Sequence, residues 1–179
     1  QMRIAFDGPP QPATVPEGYG IRPLEKVEQW DAFLAMQEAF RDHYGFTQPP
    51  SLEKAFETWK HHLIESNGID PDMLLVAIGP EGTIAGGSLC RPTNGSREDM
   101  GWVNSLAVRP AHRRRGLAEA LLRRSFEVFH AKGKTGAGLV FPFSMATLGD
   151  PETFPITADL PRDPMNWYGR TKVLGERAI

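Results

Sequence analysis

A single cysteine, Cys90, leaves no partner for an internal disulfide. Long apolar runs are missing as well: the longest, such as Met73 to Ile78, fall far short of the roughly 20 residues a membrane-crossing helix needs. Neither sign of charge dominates. Twenty basic residues against 22 acidic ones leave a net charge of -2, so no global field draws the chain to nucleic acid or an anionic membrane, and any anion site must be local. The nucleotide-binding patterns G-x-G-x-x-G and G-x-x-x-x-G-K-[ST] are both absent, which disfavours a dinucleotide-binding first half and a P-loop. No metal site is expected. No basic-then-apolar leader opens the chain, and Gln1 stands at its start, so the biological start is expected to lie upstream. With a reducing environment implied by the cysteine count, the expected location is cytoplasmic. What remains is a chain of 179 residues, 40% hydrophobic and 23% charged: enough for one domain with a real core, and hence one site.

Proline and glycine crowd the first 23 residues, of which 1–18 read as a linker or arm. Folding is expected to begin at a strand from Tyr19 to Arg22. Next comes a helix from Val27 to Phe40, with Trp30, Phe33, Leu34 and Phe40 on its packing side. A loop ends at Pro49-Pro50, and Ser51 is placed to cap a second helix that buries Phe56, Trp59 and Leu63. Met73 to Ile78 and Thr83 to Cys90 form a hairpin about a Gly-Pro-Glu-Gly turn. After a polar loop, Met100 to Val108 reads as a further strand. The segment from Gly116 to Lys132 is an amphipathic helix closed by Gly133, with Ala118, Leu121, Leu122, Ser125 and Phe129 inward. Glu119, Arg123, Arg124, Glu127 and His130 face water on that reading, and Glu119 and Arg123 are spaced to pair. Gly138 to Phe141 is a last strand. From Pro142 the composition turns proline-rich, before a final helix from Trp167 to Ile179.

The informative stretch runs from Trp102 to Ala118: strand, basic loop, helix start. Backbone N–H groups at a helix N-terminus have no intrahelical partner, and the helix dipole adds partial positive charge there. Gly116 admits a ligand close to the main chain, Ala118 keeps the first turn small, and Arg113, Arg114 and Arg115 add charge. Such a loop suits a pyrophosphate. A solvated basic turn is the plain alternative, and the agreement of strand, Arg-x-x-Gly-x-Ala spacing and amphipathic helix weighs against it.

On these residues, Arg113 to Ala118, the chain resembles the GCN5-related N-acetyltransferase family, whose signature is Gln/Arg-x-x-Gly-x-Gly/Ala. The resemblance covers about residues 19–139. It implies an α/β fold with a mixed, mostly antiparallel sheet flanked by helices, and acetyl-coenzyme A as cosubstrate. It also implies that Leu106, Ala107 and Val108 hold the pantetheine arm and thioester through their main chain, while Arg113, Arg114, Arg115, Gly116, Leu117, Ala118 and Glu119 form the pyrophosphate loop. The run from Ala39 to Gly45, with the arm before the first strand, is similar to the second half of tandem mycothiol-synthase-like enzymes. The acceptor implied is a small-molecule or peptide amine. Asn104 and Ser105 occupy the strand positions where many relatives carry a base, and neither is one. Asp42, His43 and Glu98 are candidates by residue type only, so the catalytic base stays open.

Residues 140–179 depart from that family and lack its usual C-terminal hairpin. They resemble a fragment of an extended short-chain dehydrogenase or NAD-dependent epimerase, on Ser144, Gly149-Asp150, Pro155-Ile156-Thr157, Tyr168 with Lys172, and Gly175-Glu176-Arg177. Without a glycine-rich nucleotide-binding half, these residues cannot support hydride transfer. The readings in competition are an acyltransferase, a coenzyme-binding remnant without turnover, and a piece of an epimerase. An unfinished sheet edge would also favour a homodimer.

Overall fold

The computed structural model describes residues 2–42, 46–65, 69–93, 95, 97–139, 147–148, 161–165, 169–170 and 173. Its contacts divide the chain into two compact units, residues 3–138 and residues 1–2 with 139–179. Among the few described residues of the second unit, Thr147, Leu148 and Val173 are buried. The dehydrogenase-like residues Ser144, Tyr168 and Lys172, with their flanking glycines and acids, lie outside the described residues, as does His43.

The larger unit is built on one sheet of six strands: β1 (Met2–Ala5), β2 (Gly20–Pro23), β3 (Leu74–Ile78), β4 (Ile84–Arg91), β5 (Met100–Val108) and β6 (Gly136–Leu139). Their spatial order is β1-β6-β5-β4-β3-β2. Strands β2 to β5 form an antiparallel meander, with Gly20 opposite Ile78, Leu75 opposite Ser88, and Gly86 opposite Val108. Strand β6 starts beside the start of β5, where the Thr135 N–H donates to the Asp99 carbonyl at 2.8 Å, so these two neighbours run the same way. A parallel pair needs a long crossover, and the longest helix supplies it. The mixed, mostly antiparallel α/β sheet expected from the sequence is present.

Helices cover both faces. α1 (Gln29–Phe40) and α2 (Leu52–Lys60) lie on one side, and α3 (Leu117–Ala131) on the other. Strand β3 shows the consequence in its alternation. Leu75 and Ala77 pack with Leu117 and Leu121 of α3, while Leu74 and Val76 pack toward Met36, Ala39 and Ala32 of α1. A strand covered on both faces loses the polar half of its pattern, which is why Leu74–Ile78 reads as a continuous apolar run.

Several expectations need correction. The first 18 residues are more than a linker, because Met2–Ala5 form a strand at the sheet edge beside β6. Strand β1 therefore covers β6, the edge expected to be unfinished. On α1 the buried face is Ala32, Phe33, Ala35, Met36 and Ala39, whereas Trp30 is 36% exposed. Three alanines alternate there with Phe33 and Met36, and Met36 lies over Gly87 of β4. A Cβ on Gly87 would sit 3.7 Å from the Met36 Sδ and 3.1 Å from the Leu75 carbonyl oxygen. Trp30 instead packs edge-on against Phe56 at 4.9 Å, in an aromatic group that joins the half-buried Phe56 and Trp59 to the buried Phe33. On α3, Leu117 and Ala120 are buried, and Ala118 is exposed. Strand β6 begins two residues earlier than expected.

Candidate functional site

The loop between β5 and α3 is shaped by backbone torsions that few L-residues adopt. Gly116, the residue before α3, has φ +82°, and Arg114, with a full side chain, has φ +62°. A left-handed turn at a non-glycine residue is costly, and such cost concentrates at functional sites. Two left-handed residues so close together turn successive N–H groups toward a common side.

Gly116 brings no side chain to cap the helix. The first intrahelical bond is from the Ala120 N–H to the Gly116 carbonyl, at 3.0 Å. The N–H groups of Leu117, Ala118 and Glu119 therefore precede the ladder, at the positive end of a 15-residue helix. A Cβ on Gly116 would meet nothing within 4 Å, so the space beside it is open. That space is a groove of about 380 Å³. One wall is made by Arg115, Gly116, Glu119 and Arg123, the other by Gln11 and Thr14 of the N-terminal arm.

The three arginines do different things. Arg113 turns back into the fold: its Nε donates to the Val108 carbonyl at 3.0 Å, one Nη donates to the Ala39 carbonyl at 2.8 Å, and both Nη atoms engage the Asp42 carboxylate. Arg114 holds the strained turn, and Arg115 lines the groove. Of the three, only Arg115 has its side chain on the groove wall. Arg109 adds a second tie to α1, pairing with Glu38 at 2.8 Å. The end of α1 is thus fastened to both ends of the basic loop's entry, and cations at its C-terminal carbonyls suit its dipole.

Leu117 is an anchor rather than a contact surface: its side chain is 1% exposed among the α3-side core residues, so only its N–H is available to a ligand. Along β5 the alternation of an antiparallel ladder separates the three strand candidates. The Arg109 N–H donates to the Ala85 carbonyl at 2.9 Å. Stepping back by two directs the Ala107 main chain toward β4 as well, and that of Leu106 and Val108 toward the opposite edge. Arg113 already uses the Val108 carbonyl, which leaves Leu106 the best placed of the three.

Asp42 is held by Arg113. Glu98 is exposed and precedes the far end of β5, about 30 Å from Val108 at the ordinary rise of a strand. Asn104 is exposed and Ser105 half-buried. A contact the sequence gave no sign of joins Tyr19 of the β2 approach to His112, just before the arginines: the hydroxyl and Nδ1 share a hydrogen bond of 3.0 Å, with the rings edge to face.

Strand, strained basic loop and uncapped helix now stand in the order that a family match also finds: residues 33–141 match the Acetyltransferase (GNAT) family. The chain belongs to the GNAT acetyltransferase family. A solved GCN5-related N-acetyltransferase from Sphaerobacter thermophilus is 32% identical over 76% of this chain, with a TM-score of 0.63. This chain spans 40% of that protein's length. A GNAT family acetyltransferase from Brucella melitensis, solved in complex with acetyl-CoA, is 19% identical over 72% of this chain and 79% of its own, with a TM-score of 0.56. A GCN5-related N-acetyltransferase from Kribbella flavida is 20% identical over 66% of this chain and 68% of its own, with a TM-score of 0.52. The latter two share the fold. Comparison with curated protein sequences returns no match. No helix among the described residues is long and apolar enough to cross a membrane.

Proposed function

We propose that this GNAT chain binds acetyl-coenzyme A and transfers its acetyl group to the amine of a small molecule or peptide. The observation that carries the reading is the open space at Gly116, beside Arg115 and at the start of a helix whose first three N–H groups precede its hydrogen-bond ladder. A pyrophosphate fits there for physical reasons: its charge suits the helix dipole and Arg115, its oxygens suit the N–H groups of Leu117, Ala118 and Glu119, and no side chain fills the approach. The Leu106 main chain, on the edge of β5 away from β4, would align the pantetheine arm. The coenzyme supplies an activated thioester. The protein's part is to fix that thioester and to offer main-chain donors where negative charge develops, so rate comes from positioning and electrostatics.

Arg113 has a supporting role in this proposal. Its bonds to Val108, Ala39 and Asp42 brace the loop, leaving Arg114, Arg115, Gly116, Leu117, Ala118 and Glu119 as the pyrophosphate segment. Asp42, tied to that brace, is a poor base, and the acceptor amine is expected to lose its proton through water.

The boundaries that go with this reading are an arm over residues 1–18, an acyl-coenzyme A core over 19–139, and an atypical segment over 140–179 with the character of an epimerase fragment. Kinship to the second half of a tandem mycothiol-synthase-like enzyme and a cytoplasmic setting belong to the same proposal. A homodimer joined edge to edge would use β1, since Pro23 removes an N–H from β2.

Calorimetric titration with acetyl-coenzyme A tests the reading, with NAD as control ligand and Gly116→Glu as control protein. Binding that the substitution abolishes supports it. Thiol release in the presence of a panel of amines then separates a working enzyme from a silent binding domain. Binding of NAD in place of the coenzyme would overturn the reading in favour of the epimerase-like segment.

A further inference from the structure

The groove beside Gly116 owes one whole wall to the N-terminal arm, a segment with little else to hold it. Gln11, Thr14 and Val15 are exposed, and residues 11–16 contribute no side chain to the buried core. Two polar contacts fasten the segment to the outer face of α3. Arg123 donates to the Gln11 side-chain oxygen at 2.7 Å, and the Ala13 N–H donates to the Glu127 carboxylate at 2.6 Å. Nearer the chain start, the Phe6 ring meets those of Phe126 and His130 at 5.8 and 6.2 Å. The α3 face that the sequence assigned to water is therefore partly covered. A segment attached by two hydrogen bonds over a surface helix opens at small cost. Pro9, Pro10, Pro12 and Pro16 keep it extended, so closing it also costs little entropy.

The groove runs outward along α3 from Gly116 to Arg123, two turns or about 10 Å. If the pyrophosphate rests at Gly116 and the pantetheine follows β5, the part of the coenzyme beyond the pyrophosphate has this groove to enter. Arg115 on one side, with Gln11 and Thr14 on the other, offers a cation and neutral polar groups suited to a phosphate and a sugar, while Arg123 pairs with Glu119 at 2.8 Å and holds Gln11 in place. We propose that residues 11–16 are a strap that closes over the nucleotide end of the coenzyme, so that coenzyme binding and arm closure strengthen each other. The proposal rests on the coenzyme reading above. By linkage, whatever loosens the strap weakens the coenzyme, and the coenzyme tightens the strap by the same factor.

Two measurements test it on the whole chain. Amide exchange at Ala13 and Thr14 is followed with acetyl-coenzyme A, and with S-acetyl-4′-phosphopantetheine, which keeps the thioester and one phosphate but lacks the nucleotide. The coenzyme is expected to slow exchange by about tenfold and the truncated analogue to leave it unchanged. Calorimetry then compares the natural chain with Glu127→Ala, which removes the acceptor for Ala13 from outside the groove. Affinity for acetyl-coenzyme A is expected to fall about three- to tenfold, with that for the analogue unchanged. Coenzyme binding that leaves both arm exchange and the variant's affinity unaltered overturns the strap and spares the coenzyme reading. Equal arm protection by the analogue overturns the nucleotide assignment. Failure of the natural chain to bind acetyl-coenzyme A overturns the coenzyme reading and the strap with it.

Discussion

Arg114 carries a positive φ that glycine would adopt freely. Arg114→Gly relieves that cost but gains freedom in the unfolded chain, so stability should hold steady or rise by up to about 1 kcal/mol in thermal denaturation. A clear loss would mean that the Arg114 side chain braces the loop. Cys90 shows the opposite situation, a group silenced by its surroundings. Burial pushes its thiol up to about 11, against the weaker opposing effect of the Ser88 and Ser125 hydroxyls. At pH 8 almost no thiolate forms and no reagent reaches it. A disulfide reagent should leave the folded chain untouched and react with one thiol after denaturation, whereas rapid native labelling would show that β4 opens. Neither property is visible in the residue's name. Arg113, Arg114 and Arg115 are identical in sequence, and they differ only because the chain turns between them.

The elements were legible where their signals are local. The strand, loop and helix from Met100 to Ala131 follow from apolar periodicity, a helix-opening glycine and a closing one, all within one stretch of chain. On α1 the expected inward face holds for Phe33 but not for Trp30, because a large side chain is the usual mark of a buried face and an exposed one carries the same mark. Which face is buried there depends on how the helix lies on β4, where Met36 sits against Gly87. The loop's tie to α1 was beyond reach, since Arg113 and Asp42 are 71 residues apart. That tie makes unequal predictions for its two ends. Asp42 is exposed, so Asp42→Ala should cost under about 1 kcal/mol in urea denaturation. Arg113→Ala also leaves the Val108 and Ala39 carbonyls without their donor and should cost about 1–3 kcal/mol. Equal costs would mean that the salt bridge is the whole brace. Between β5 and α3 the contact is closer still. A Cβ on Gly101 would lie 2.3 Å from the Phe129 ring, so Gly101→Ala should destabilise by about 1–3 kcal/mol through overpacking.

At the scale of the larger unit, the arm's attachment to α3 responds to pH. Burial alone would raise the Glu127 carboxyl, but the Ala13 N–H and the Arg124 guanidinium outweigh it and hold the group below its ordinary value. A depressed carboxylate contributes stability that is full above its unfolded pKa and lost as pH falls through the lower folded one. Arm attachment should therefore be unchanged between pH 6 and 8 and weaken on acidification below the ordinary carboxylate range. Proteolytic cleavage or amide exchange across residues 11–16 reports it, and Glu127→Gln should flatten the response. Edge pairing belongs to this scale too. With β1 along β6, the outermost strands are four residues each, too short for strong self-templating. Sedimentation should show whether β1 supports a dimer, which Ile4→Lys on that exposed edge would then disrupt.

By itself the sequence determined the order of strands and helices from Gly20 to Leu139, the glycine that opens α3 and the local cluster of positive charge. Each depends on neighbours within a few residues, through periodicity, capping and backbone sterics. Only the tertiary structure decided that Arg113 is a brace and Arg115 a groove wall, that Leu106 and not Ala107 turns its main chain to the side of β5 away from β4, and that an arm resembling a linker lines the groove beside Gly116. Those outcomes depend on which distant segments meet, and packing on two faces of one sheet, rather than any local preference, chooses the partners.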